Sequence, residues 1–219
     1  KFTINSITLE NPKIHLITYK NEKTSNLQFI LDYFSSDKPT DTTKSTPLDL
    51  KVKSIKIRNA DFIYADENIP NEVPGVIDYD HIHIRNFTTD VKSFSILNGE
   101  IRADILKLSL KEKCGFEIEK LAGKLKFSDK EIEIANLLLV TPYSNIHDYY
   151  SMRFDSLSDF NDYINKVRMY ADFNQSIISF KDIRYFASAI QKYNQVLMLN
   201  GKVSGTVANL KSKNFQLHT

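Results

Sequence analysis

Apolar and polar residues alternate along most of this chain, and the alternation repeatedly changes step. Phe2 and Ile4 share one parity, Ile7 and Leu9 take the other, and Ile14 and Leu16 return to the first. A period of two marks a half-buried strand. A parity change inside a continuous strand-like run calls for a bulge or bend. The behaviour recurs from residue 48: Leu48, Leu50 and Val52 agree, Ile55 and Ile57 oppose them, and Phe62 and Tyr64 switch back. Near these switches stands a recurring phrase: ITLEN (7–11), IKIRN (55–59), IHIRN (82–86) and IEIAN (132–136). Asn accepts left-handed and turn backbone better than most residues. The phrase therefore reads as a strand that bends at Asn and continues.

The rest of the pattern extends this picture. Asn11-Pro12 interrupts the first run, as a residue without a ladder donor does at an edge or bulge. Leu27, Phe29, Ile30, Leu31 and Phe34 behind Ser25-Asn26 predict a short capped helix. Residues 35–47, SSDKPTDTTKSTP, hold no aliphatic side chain and read as a flexible loop. Asn98-Gly99 predicts a two-residue hairpin turn, Lys113-Cys114-Gly115 a second turn and Ser128-Asp129-Lys130 a third. Phe116–Ile118 and Leu125–Phe127 read as a pair of strand segments, and Ile132–Val140 as a strand broken at its Asn. Tyr149–Phe154 is a further strand, Ser156–Phe160 a capped helical turn, and Val167, Met169 and Ala171 a strand. Ser179 caps a second helix whose stripe is Ile183, Phe186, Ala187 and Ile190. Val196 to Leu210 reads as one long strand with Gly201 and Gly205 at bulges or close approaches.

The expected fold is mainly β: a long, curled, largely antiparallel sheet, groove-like in section, with two or three short helices. Its parts are opening strands and helix (1–34), the loop (35–47), a β-meander (48–140), and strands with two short helices (141–219), in one continuous elongated domain. The phrases recur at intervals of 48, 27 and 50 residues, too irregular for a strict-period solenoid or propeller.

Composition agrees and narrows the function. The 219 residues are 42% hydrophobic, enough for a real core, and 14 Phe and 11 Tyr with abundant Ile favour strands. The net charge of +2, with cations scattered among apolar residues, gives no nucleic-acid surface. The single Cys114 excludes an internal disulfide framework and leaves the compartment open. No apolar run approaches the roughly 20 residues of a spanning helix. The chain opens in mid-strand and reads as a piece of a longer protein.

Candidate chemistry is sparse. His81 and His83 leave one face of a strand, as a metal-sharing pair would, but no further ligands stand at matching spacing, and a solvated edge explains them as well. Ser144 and Ser179 lack a nucleophile-elbow context. Cys114 sits near Lys111 and Lys113, an arrangement that can lower a thiol pKa, in a turn where a lone Cys is ordinarily inert. Gly201–Gly205 lacks phosphate-loop order. Asn86-Phe87-Thr88 and Asn174-Gln175-Ser176 match the glycosylation triplet, which is common by chance. Asp155, Asp159 and Asp162 read as the charged face of a short helix, and no carboxylate pair stands in a tuning environment. Neither an enzyme nor a cofactor is expected.

Several stretches, taken in order, resemble a known family. They are SITLENPKIHLITY with SNLQFILDYF, LDLKVKSIKIRNADFIYAD, GFEIEKLAGKLKFSDKEIEIANLLLVTPYS, ISFKDIRYFA, and LNGKVSGTVANLKSKNFQL. Together they resemble the AsmA-like superfamily, and within it the TamB-type translocation and assembly module proteins in a Bacteroidota-like version. The resemblance covers most of the chain and carries no catalytic residues. It implies a long periplasmic β-structure, anchored in the inner membrane in the whole protein, with an apolar groove. Members are implicated in moving phospholipid to the outer membrane or in outer-membrane protein assembly. On that reading Ile55, Ile57, Phe62, Tyr64, Ile82, Ile84, Leu137 and Leu139 line the groove, and helices bearing Phe29, Leu31, Phe186 and Ile190 cap it. The same residues would equally serve an ordinary closed core. The expected partners are a phospholipid or other acyl-chain ligand, or envelope assembly proteins met at strand edges, with membrane contact through regions outside this chain.

Overall fold

The computed structural model describes residues 2–28, 49–70, 74–187 and 190–218. Eleven strands form one open, mostly antiparallel sheet. They are β1 (Phe2–Glu10), β2 (Lys13–Thr18), β3 (Leu50–Asp66), β4 (His81–Leu97), β5 (Glu100–Glu112), β6 (Glu117–Phe127), β7 (Glu131–Val140), β8 (Asn145–Arg153), β9 (Arg168–Ser179), β10 (Val196–Thr206) and β11 (Asn209–His218). From β3 to β11 each strand pairs with the next in sequence, the order short hairpin turns enforce. β1 and β2 lie end to end along β3 and pair with it in parallel.

The recurring phrase is a bulge in three of its four copies, and in the first its Asn stands in the break between β1 and β2. Asn11, Asn59, Asn86 and Asn136 all have φ between 51° and 54°. The β3–β4 register shifts between Ile57 and Ala60, the β4–β5 register between Arg85 and Thr88, and the β7–β8 register between Ala135 and Leu137. Residues without the phrase continue the crease on β6, β8, β9, β10 and β11. Gly123 marks the β6–β7 shift, Asp148 and Gln175 flank the β8–β9 shift, and Gly201 and Asn214 flank the β10–β11 shift. The crease thus recurs on most strands, and β4 carries a second irregularity at Ser93 (φ 53°), where its register with β5 shifts between Lys92 and Ser95. An inserted residue restores the apolar side chains to the face they left.

Three sequence expectations are corrected. The two segments read as a pair are the ends of the single strand β6, which begins at Glu117 with Phe116 just before it. The 196–210 run is a hairpin, β10 and β11 turning at Val207-Ala208, without the Gly or Pro that would signal it. The helix capped by Ser179 spans only Phe180–Ile183, and Phe186 lies beyond it in a turn. The cap itself is present: Ser179 Oγ accepts from the Lys181 amide at 3.2 Å. The predicted 35–47 loop and the helix bearing Phe29 and Leu31 lie outside the described residues.

A candidate acyl-chain face

Residues directly opposite on paired strands share a face, so the register maps what each side carries. One row runs Phe2–Leu50–Ile96–Ile101–Phe127–Ile132–Met152–Met169–Gly205–Leu210, apolar across ten strands. Nearer the crease runs Ile7–Ile55–Val91–Ile105–Gly123. Beside it lies Leu9–Ile57–Thr89–Leu108–Leu121–Leu139–Ile146, apolar except at Thr89. Ile101, Ala103 and Ile105 alternate without interruption on β5 and place these rows on one face. Beyond the crease that face continues as Ile14–Phe62–Ile84 and Leu16–Tyr64–Ile82. The opposite face reads Lys51–Ser95–Arg102–Lys126–Glu133–Ser151–Tyr170–Ser204–Lys211, wholly polar apart from the Tyr ring.

The register thus brings the residues singled out in the sequence together. Ile57 and Leu139 share a row, Ile55 lies in the adjacent one, Phe62 neighbours Ile84, and Tyr64 neighbours Ile82. Leu137 is two residues from Leu139 on the same strand. Among these eight, Leu137 is fully buried, Tyr64 is exposed, and the others are half-buried. A second sheet packed on this face would bury them nearly completely.

Helical and connecting segments cover its two ends. At one end the 157–166 segment places Tyr163 against Tyr150, Met152 and Met169, with its hydroxyl 2.9 Å from Met169 Sδ and 3.2 Å from Tyr150 Oη. Burial, reinforced by Tyr163, pushes the Tyr150 phenol far up. At the other end Tyr185 and Phe186 pack edge-on to Phe116, with centroids 5.8 and 5.0 Å away. Phe186 remains 49% exposed. The Ile77 amide reaches from the β3–β4 connector to the Tyr185 carbonyl at 2.8 Å. Ile190 is half-buried beyond them. Tyr79, on the same connector as Ile77, is 65% exposed, and its phenol is raised, by burial first and then by Tyr163 and Cys114.

A buried polar knot ties the second end together, and no local pattern in the chain announces it. Asp182 Oδ2 accepts from Thr141 Oγ1 at 2.6 Å and from Ser144 Oγ at 2.5 Å, while Ser144 Oγ accepts the Ser179 amide at 2.9 Å. No His joins it among these contacts, and its hydroxyls are spent on a carboxylate and on backbone. It fastens the β7–β8 turn to the 180–183 helix. Glu112, buried at the end of an apolar row, accepts the Cys114 and His83 amides. Burial would raise its carboxyl, but hydrogen bonds led by Cys114 outweigh it and hold the carboxyl low. Burial and then Glu112 push the Cys114 thiol up to about 11, which leaves little thiolate at neutral pH.

The two candidate metal-binding histidines go to separate carboxylates: His81 Nδ1 lies 2.8 Å from Asp78 Oδ2, and His83 Nε2 lies 3.1 Å from Asp61 Oδ2. Among the described residues no group of three or more His, Cys, Asp or Glu is arranged to hold a metal. Among them, too, no helix is long and apolar enough to cross a membrane. No family model, curated protein or solved structure matches the chain.

Proposed function

We propose that this chain is a periplasmic segment of an AsmA/TamB-like protein, and that its apolar face carries the acyl chains of phospholipids in transit between membranes. One observation supports this most: apolar rows cross up to ten strands of an open sheet and stay largely half-buried. Extended apolar surface rimmed by polar residues favours a ligand over solvent. The rows run across the strands, so the pattern is the same on each strand an alkyl chain would pass. A trough of this kind needs no catalytic group and no metal.

Native mass spectrometry with lipid extraction on the purified chain tests the reading. Co-purifying phospholipid is expected, and Ile57→Asp, which puts a charge in the middle of a row, should lose it while keeping the fold by circular dichroism. A lipid-free, stable monomer that takes up no phospholipid from micelles would sink it. A second reading, a protein-interaction module in outer-membrane protein assembly, draws on β11. That strand is nearly all exposed and pairs on one side only, with β10. Recovery of an envelope assembly protein by the chain, lost when Lys213 is replaced by Pro, would favour it.

A further inference from the structure

Arg153 of β8 and Arg168 of β9 stand directly opposite each other in the register. Like charges so placed destabilise a strand pair. Lys130, from the β6–β7 turn, and Lys166, from the helical segment, line the same cleft of about 190 Å³, with Phe154 and Asp155 completing it. Four cations thus converge where the lining supplies one carboxylate. The neighbouring acids are engaged elsewhere as well. Glu131 divides its oxygens between Arg153 (2.7 Å) and Lys126 (2.9 Å). Asp159 gives Oδ2 to the Asp155 and Ser156 amides and leaves Oδ1 3.9 Å from Lys166. Arg168 and Lys130 have no carboxylate within ion-pair distance among the described residues. A second cleft, of about 470 Å³, shares both arginines and continues over Tyr149, Tyr170 and Ser204.

We propose that Arg153, Arg168, Lys130 and Lys166 form a binding site for a phosphate ester. Two guanidinium forks on adjacent strands suit an anion that accepts from several sides. A tetrahedral phosphate does so, whereas a planar carboxylate is filled by a single fork. The site stands on charge and register and uses none of the apolar rows. Its phosphate belongs either to a lipid headgroup or to a soluble ester, and the two sources share this chemistry.

The test is calorimetric titration of the full chain with glycerol 1-phosphate, alongside co-sedimentation with vesicles of phosphatidylglycerol and of phosphatidylcholine. The chain should bind glycerol 1-phosphate saturably, and Arg168→Gln should weaken binding at least tenfold while melting no earlier than the parent in phosphate-free buffer. If Arg168→Gln is less stable, Lys130→Gln, in a turn, carries the same comparison. Retention on phosphatidylglycerol but not phosphatidylcholine, lost in the variant, assigns the phosphate to a headgroup. Binding of glycerol 1-phosphate without vesicle retention assigns it to a soluble ester. The proposal is overturned if glycerol 1-phosphate does not bind and vesicle retention is the same in parent and variants. Glycerol 1-phosphate has no acyl chain, so that failure would leave the acyl-chain reading standing, and the loss of that reading would leave this site in place.

Discussion

The side-chain amide of Asn59 donates to the side-chain carbonyl of Asn11 at 2.7 Å. Both residues sit at positive φ, Asn59 on β3 and Asn11 in the break between β1 and β2 that runs beside it. The Asn59 backbone amide in turn donates to Thr88 Oγ1 at 3.1 Å, two residues from the Asn86 bulge. The crease is therefore stitched from strand to strand by side chains as well as repeated along the sheet.

Replacing Asn59 with Ala should cost about 1–2 kcal/mol, because Ala resists the left-handed backbone and removes the donor. Asn59→Gly keeps the backbone conformation and loses only the hydrogen bond, so it should cost less. Urea unfolding of the two variants gives the order, and an Ala variant as stable as the Gly variant would contradict it.

Asp182→Ala strands two buried hydroxyls, and a loss of roughly 2–4 kcal/mol is expected. Asp182→Asn retains an acceptor oxygen and should lose less. Hydrogen exchange locates the effect: the Ser179 and Lys181 amides should lose protection first, and unchanged protection there would show that the knot does not hold the turn to the helix.

A Cβ on Gly201 would lie 2.1 Å from the Asn214 carbonyl oxygen, and Gly201 has φ 110°. The neighbour is backbone and cannot rotate away. Gly201→Ala should detach β11 from β10, seen as loss of amide protection over residues 209–218 with β3–β7 protection intact.

Glu131 should give the sheet an acid-sensitive element. Its carboxyl is held below the ordinary 4.5 by hydrogen bonds from Lys126 and then Arg153. A group whose folded pKa is depressed contributes stability above its unfolded pKa and loses it as pH falls through the folded value. The stability difference between the parent and Glu131→Gln should be constant above about pH 5.5 and shrink below 4.5. A difference independent of pH down to 2 would assign the effect to packing.

Much of this architecture is legible in the chain. Four Asn-bearing phrases announce three bulges and the break between β1 and β2, and Asn98-Gly99 announces its hairpin, because left-handed backbone narrows the choice of residue. The other bulges, at Gly123, Asp148, Gln175, Gly201 and Asn214, share no phrase; their neighbours differ and only the register aligns them. The parallel pairing of β1 and β2 with β3 depends on a long-range choice of partner that local pattern does not encode. The Thr141–Ser144–Asp182 knot joins two motifs some forty residues apart, each explained locally as a turn and a cap. The 180–183 helix is shorter than its pattern predicts because an apolar i, i+3, i+4, i+7 spacing also arises when a turn packs Phe186 against Phe116.

The crease also sets how the chain can change by mutation. On β3 the inward parity of Phe62 and Tyr64 is set separately from that of Ile55 and Ile57, on either side of the left-handed Asn59. Deleting Asn59 would leave Ile55 and Ile57 in place and turn Phe62 and Tyr64 outward, exchanging them with Asp61 and Ile63. A one-residue deletion and a one-residue insertion that fall on the same side of the crease cancel beyond the second change, whereas the same two changes on opposite sides leave the bulge itself out of step with its neighbours. The half-strand is the unit that one insertion or deletion disturbs, and on β3, β4 and β7 an Asn marks where it ends.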